Sequence, residues 1–185
     1  MQRADVILLL GARLNWILHF GKPPRFNNDT RFIQVDICPE EFFQASLPLC
    51  GDIAATLELM LQNIDYKLNN YNSWWVELRA KVKANKEATA ELASNISTPL
   101  NYYAVFDTLS QMMPRDAIIV SEGANTMDIG RTMLLNFQPK HRLDAGSFGT
   151  MGVGLGFAIA AALYVKDNFP GKRVICVEGS NSAYF

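Results

Sequence analysis

Little in this 185-residue sequence marks it at first sight. It lacks any apolar run of the ~20 residues that a membrane-spanning helix needs. The longest such run, Val153–Val165, is too short. It lacks an excess of either charge: 17 Lys and Arg against 18 Asp and Glu leave a formal net charge of −1. That gives no basic footprint for nucleic acid and none for an anionic membrane surface. Its three cysteines, Cys38, Cys50 and Cys176, are scattered and odd in number. They form neither a disulfide framework nor a metal-ligand spacing, which points to a reducing compartment. No basic-then-apolar leader with a cleavage site opens the chain. There are no internal repeats, no Ser/His/Asp or Cys/His arrangement with supporting context, and no CxxC. What is present is a composition of 49% hydrophobic and 19% charged residues, that of a buried globular protein rather than a disordered one.

One stretch stands out. Asp144-Ala-Gly-Ser-Phe-Gly-Thr-Met-Gly-Val-Gly-Leu-Gly-Phe157 holds five glycines and runs into an alanine-rich apolar segment. Glycine is unfavourable inside regular structure, so such density at a loop-to-helix junction implies that backbone lies against something. That is either a ligand, reached by the free N–H groups of a helix start, or a closely packed neighbour. The spacing fits neither the phosphate-loop nor the dinucleotide pattern.

Around it the chain reads as alternating strands and helices. Ala4–Leu10 is a continuous apolar run, as of a parallel strand buried on both faces. Arg31–Ile37 is a second strand, and Pro39-Glu40-Glu41 opens a helical turn with proline and acids first. Leu47–Leu49 is a short third strand, followed by a helix from Gly51-Asp52 to about Leu61. In a doubly wound sheet, ligands sit at the carboxyl ends of strands, which makes Arg13 and Asp36 candidate contacts. A surface ion pair for Arg13 and a helix cap for Asp36 are the plainer readings.

Lys67–Ser73 reads as a polar linker, and Trp74–Ser94 as a charged amphipathic helix with Trp74, Trp75, Leu78 and Val82 on its apolar side. A helix over Asn101–Met113 turns Val105, Leu109 and Met112 inward. Ala117–Glu122 is a buried strand. Gly123-Ala-Asn-Thr then leads into a helix over Ile129–Leu135, with Asn125 and Thr126 either facing a ligand or capping that helix. Pro139–Asp144 carries Lys140, His141 and Arg142, with His141 at the surface, and Arg173–Glu178 is a last strand. The fold class is therefore α/β, in two incomplete doubly wound modules.

In this order, several segments resemble the 2-hydroxyacyl-CoA lyase and oxalyl-CoA decarboxylase family of thiamine-diphosphate enzymes. They are Gly11-Ala-Arg-Leu-Asn-Trp16, Gln34-Val-Asp-Ile37, Ser121-Glu-Gly-Ala-Asn-Thr126, Arg142-Leu-Asp144, Gly149-Thr-Met-Gly-Val-Gly-Leu-Gly-Phe157 and Val177-Glu-Gly179. Ile17-Leu-His-Phe20 and Met127-Asp-Ile-Gly-Arg131 resemble the lyase branch. The resemblance implies a parallel-sheet architecture. Residues 1–66 would be the second half of a central domain, 67–98 a linker with a helix, and 99–185 the first part of a diphosphate-binding domain. The family's pyrimidine-binding domain, with the glutamate that activates the cofactor ring, has no counterpart in this sequence.

The resemblance also carries roles, residue by residue. Tyr102, Ala124, Asn125 and Thr126 would lie near the cofactor, the last three at its diphosphate. Gly149, Thr150 and Met151 would lie at its aminopyrimidine, with the Met151 side chain beneath the ring. Asn85, Arg131 and Thr132 would meet the acyl-CoA substrate. Arg13, Asp36 and Ile53 would fall where the decarboxylase holds ADP. The implied cofactors are thiamine diphosphate and Mg²⁺, and the implied state of full-length relatives is a homo-oligomer. The implied compartment is the peroxisome, with the cytoplasm as the alternative. The family pattern has an aspartate, a Mg²⁺ ligand, directly after Glu-Gly; this sequence has Ser180 there. A hydroxyl is a poorer ligand for a hard dication than a carboxylate. By the same resemblance this chain alone is expected to be inactive, and a nucleotide-, CoA- or subunit-binding fragment is the alternative to an enzyme.

Overall fold

The computed structural model describes residues 1–65 and 72–179, and the chain divides into two compact units, Met1–Asn69 and Asn70–Phe185. The expected linker at Lys67–Ser73 lies mostly outside the described residues.

The first unit is a parallel sheet in the order β1 (Val6–Leu10), β2 (Arg31–Asp36), β3 (Leu47–Cys50), followed by helix α1 (Ile53–Asn63). The register pairs Leu10 with Val35 and Asp36 with Cys50, so the strand ends align along one carboxyl edge. Leu9, Leu14, Phe26 and Phe32 form the core cluster. Phe26 and Phe32 meet edge to face at 5.4 Å. Pro48 sits in β3, an edge strand, where a missing N–H is tolerated. Asp52 caps α1, its Oδ1 accepting from the Ala55 amide at 3.0 Å. The expectation that β1 is buried on both faces is corrected. β1 pairs only with β2, and Val6, Leu8 and Leu10 are exposed, because no layer among the described residues covers that side.

The second unit contains α2 (Asn72–Ser94), α3 (Tyr102–Met112), β4 (Ile118–Glu122), α4 (Ala124–Met133), β5 (Arg142–Leu143), α5 (Gly154–Asn168) and β6 (Val174–Glu178). Its sheet is parallel, in the order β5-β4-β6. β4 is central and every residue of it is buried. Phe106, Ile119 and Leu134 pack on one side, and Ile118, Ala161 and Val165 on the other. Asn101 fastens α3 to the preceding turn. Its Oδ1 accepts from the Ala104 amide at 2.9 Å, and its Nδ2 donates to the carbonyls of Leu92 and Asn95 at 3.1 and 2.8 Å.

Several sequence expectations change in this unit. The inward face of α3 carries Ala104 and Phe106, while Val105 and Met112 are exposed. Tyr102 stacks on Phe106 one turn along the same helix, with ring centroids 6.4 Å apart. α4 begins directly after Gly123, five residues before the expected start. Gly123, at φ 96°, makes the sharp turn from strand to helix, so Asn125 and Thr126 lie inside the first turn rather than capping it. The segment before the glycine cluster, to which the sequence assigned no element, contains the two-residue strand β5. His141 is half-buried rather than superficial: its Nδ1 lies 2.8 Å from the Pro139 carbonyl and its Nε2 2.7 Å from Lys172 Nζ.

Candidate functional site

In the second unit the chemistry gathers at the carboxyl edge of β4 and β6. β4 ends in Glu122 and β6 in Glu178, and these two residues are register partners. The first turn of α4 starts at this edge with no side-chain cap. Its early N–H groups are therefore left for a ligand, and an anion is the natural one. Tyr102, Thr126 and Glu178, with Phe106, Leu109 and Val177, line one cavity of about 280 Å³ at this edge. Thr126 is buried, and Tyr102 is half-exposed. The sequence-derived pair Tyr102 and Thr126 is thus brought together, with Ala124 and Asn125 on the same helix turn.

Gly149, Thr150 and Met151 do not line that cavity. They sit on the loop between β5 and α5. A Cβ at Gly149 would meet nothing within 4 Å, so its backbone faces open space, and Met151 is half-exposed. The end of this loop is tied to β4. Glu122, fully buried, accepts hydrogen bonds from the backbone amides of Gly152 and Gly154. Sequence reading missed both Glu122 and Glu178. A signal was available: each closes an apolar run and precedes a glycine, as Glu122-Gly123 and Glu178-Gly179.

Among the described residues Glu178 has one hydrogen-bond partner. Cys176 Sγ donates to its Oε1 at 3.0 Å, while its Oε2 is buried without a hydrogen bond. Burial, the hydrogen bond to Glu178 and the negative charge of Glu178 and Glu122 together push the Cys176 thiol up to about 12. The sulfur is turned toward the carboxylate although the residue as a whole is exposed.

The substrate candidates separate. Asn85 of α2 and Thr132 of α4 line a common groove of about 370 Å³, with Val82, Lys86, Asp107 and Met133. Arg131 is not in its lining. Its guanidinium is engaged by Asp144, with Nη2 and Nε 3.0 and 3.1 Å from Oδ2, and it lies 4.0 Å from Asp128. Arg142, beside this pair, donates to the Leu134 carbonyl at the end of α4. Burial lowers its pKa; Asp144 opposes that and Arg131 adds to it.

In the first unit, Arg13, Asp36 and Ile53 line one groove of about 460 Å³ at the carboxyl ends of β1 and β2. Both plainer readings are also visible. Arg13 pairs with Glu41 at 3.5 Å, and Asp36 Oδ1 accepts from the Cys38 amide at 3.0 Å. Gly11, at φ 59°, lines the same groove, and a Cβ there would come within 2.8 Å of Ile53 Cδ1.

An anionic cofactor fits the second unit because the start of α4 is open beside a cavity. A divalent cation fits less well. The described residues contain no group of three or more His, Cys, Asp or Glu able to hold one, and Glu178 Oε2 is a single orphaned oxygen. No helix among the described residues is long and apolar enough to cross a membrane.

Comparison with known proteins defines the class. Residues 1–60 match the family model of the thiamine pyrophosphate enzyme central domain, and residues 122–185 that of the thiamine pyrophosphate enzyme C-terminal TPP binding domain. The chain belongs to the thiamine pyrophosphate enzymes. Within that class it is similar over its whole length to 2-hydroxyacyl-CoA lyase 1 of Mus musculus, at 58% identity, and of Homo sapiens, at 56%, covering 33% of each. The oxalyl-CoA decarboxylase of Escherichia coli (strain K12) is 36% identical over all of this chain and 33% of its own. The chain thus spans about a third of the length of these relatives. The fold matches benzoylformate decarboxylase from Polynucleobacter necessarius with a TM-score of 0.70 at 18% identity, over 100% of this chain and 33% of that one.

Proposed function

We propose that this chain is the part of a thiamine-diphosphate-dependent carbon–carbon lyase that holds the diphosphate end of the cofactor and one wall of the acyl-CoA site. Residues 1–66 supply the second half of the central domain, 67–98 a connecting helix, and 99–185 the first part of the diphosphate-binding domain. The reaction of the whole enzyme would be cleavage of a 2-hydroxyacyl-CoA into formyl-CoA and an aldehyde one carbon shorter, the chemistry of fatty acid α-oxidation in the peroxisome. The observation that carries the reading is the cavity where Tyr102 and Thr126 meet the open start of α4, in a chain 58% identical to a lyase.

When bound, the cofactor supplies an electron sink for the bond being broken. The residues of this chain bind and orient. The amides of Ala124, Asn125 and Thr126 take the diphosphate, favoured by the positive end of α4. Gly149 offers backbone without a side chain in the way, and Met151 offers an apolar surface to a flat ring. Asn85 and Thr132 give an amide and a hydroxyl to the amide-rich arm of CoA. Where the family has a metal-ligand aspartate this sequence has Ser180, and no group of three or more His, Cys, Asp or Glu among the described residues could hold a divalent cation. By itself this chain binds without turnover, since it spans about a third of the length of its relatives and removing members of a catalytic unit is strongly non-additive.

Isothermal titration of the 185-residue chain with thiamine diphosphate and with CoA tests this, alongside a formyl-CoA assay. Binding that Thr126→Val weakens, without turnover, supports it. Absence of heat with both ligands overturns it. A second reading is favoured by the groove of Arg13, Asp36 and Ile53: an adenine-nucleotide site like that of the decarboxylase branch. ADP binding that Asp36→Ala abolishes would establish it, and no ADP binding would remove it.

A further inference from the structure

We infer that Glu122 is the positioning residue of the glycine loop, and that through this loop it sets the affinity of the chain for the ring end of the cofactor. The inference deepens the proposed function and rests on the reading that Gly149 and Met151 face that ring.

Glu122 is fully buried at the end of the central strand. Buried carboxylates are costly unless hydrogen-bonded, and this one is bonded twice, to the amides of Gly152 and Gly154. Gly154 is the first residue of the 15-residue helix α5, whose positive end favours an anion. The geometry works only because position 154 has no side chain. A Cβ there would come within 2.7 Å of Glu122 Oε2 and still closer to Glu178. Met151 directly precedes the first clamped amide. Its place, and that of the turn at Gly149, is therefore set within a few peptides of an anchor on β4. The diphosphate end is held elsewhere, by the first turn of α4. Ring and diphosphate affinities are thus separable.

A carboxylate offers two acceptors, whereas a carboxamide of nearly the same shape offers one acceptor and one donor. Glu122→Gln therefore breaks one of the two bonds and leaves an N–H facing an N–H. The test is amide hydrogen exchange at Gly152 and Gly154, with titration of the full chain by thiamine diphosphate and by inorganic diphosphate. The expected result is exchange about tenfold faster at those two amides, and thiamine diphosphate affinity about tenfold weaker with inorganic diphosphate unchanged. Unchanged exchange overturns the inference. Equal weakening for both ligands also overturns it, since Glu122 would then serve only the fold. If Glu122→Gln does not fold, Gly154→Ala keeps both carboxylates and displaces the loop. It should give the same split between ligands, and the absence of that split again refutes the inference. If the unaltered chain binds neither ligand, the proposed function fails on its own account, and amide exchange alone decides the clamp.

Discussion

Cys176 gives a chemical readout of the carboxylates at the site. Its thiol donates to Glu178 Oε1 at 3.0 Å and is pushed up to about 12 by burial and the two glutamates. At pH 8 a thiol of pKa 12 is about 0.01% thiolate, against about 24% for an ordinary thiol of pKa about 8.5. The more basic thiolate is the better nucleophile, with a Brønsted slope of about 0.45, which returns a factor of about 40. The net expectation is that Cys176 reacts roughly sixtyfold more slowly than an ordinary surface thiol. The perturbation is Glu178→Gln, which removes the nearest charge while keeping a hydrogen-bond acceptor. The assay is alkylation by iodoacetamide at pH 8, quenched over time and resolved by mass spectrometry for each cysteine. Cys38 and Cys50, both exposed, are internal standards. Cys176 should lag in the unaltered chain and recover only part of its reactivity in Glu178→Gln, since burial still holds the thiol up. If Cys176 is alkylated as fast as Cys38 before any substitution, its sulfur does not face Glu178. The two carboxylates at the ends of β4 and β6 would then not govern the thiol, and the reasoning from their charge would be refuted.

How far the sequence revealed all this depends on which interaction decides each element. β2 and β4 were legible because central parallel strands read as apolar runs, and β6, at the edge of its sheet, was legible from its Val-Ile-Cys-Val run. β5 was not, because two residues carry no periodicity; it is a strand only by pairing with β4. The start of α4 was hidden because Ala-Asn-Thr after glycine looks like a turn, and only the backbone angle of Gly123 makes it helix. The site follows the same division. Tyr102 came from motif resemblance and Thr126 also from its strand-to-helix turn, and the cavity at the strand ends brings them together. Arg131 came from the same motif, yet its charge is spent on Asp144, a partner thirteen residues away that no local pattern announces. Glu122 was passed over because a carboxylate closing an apolar strand looks like the strand simply ending. Its role appears only when Gly152 and Gly154, some thirty residues on, turn their amides toward it.

Two further outcomes are expected. Asn101→Ala removes a helix cap and two hydrogen bonds to the end of α2, and should destabilise the chain by about 1–2 kcal/mol in urea denaturation; a change below ~0.5 kcal/mol would mean that this junction is not formed in solution. The second concerns alkaline pH and follows from the same thiol. A group whose pKa is raised on folding holds its proton more tightly in the native state. Its contribution is fully present below the unfolded pKa and is lost as pH rises through the folded one. For Cys176 the window runs from the ordinary thiol value of about 8.5 to about 12. Folding stability should therefore decline across that interval more steeply in the unaltered chain than in Cys176→Ser, whose hydroxyl does not titrate there. Glu178→Gln should flatten the decline as well, because the repulsion that an ionised sulfur would feel comes in part from that carboxylate. Parallel declines in all three proteins would show that other groups govern the alkaline limb and that Cys176 is not coupled to Glu178.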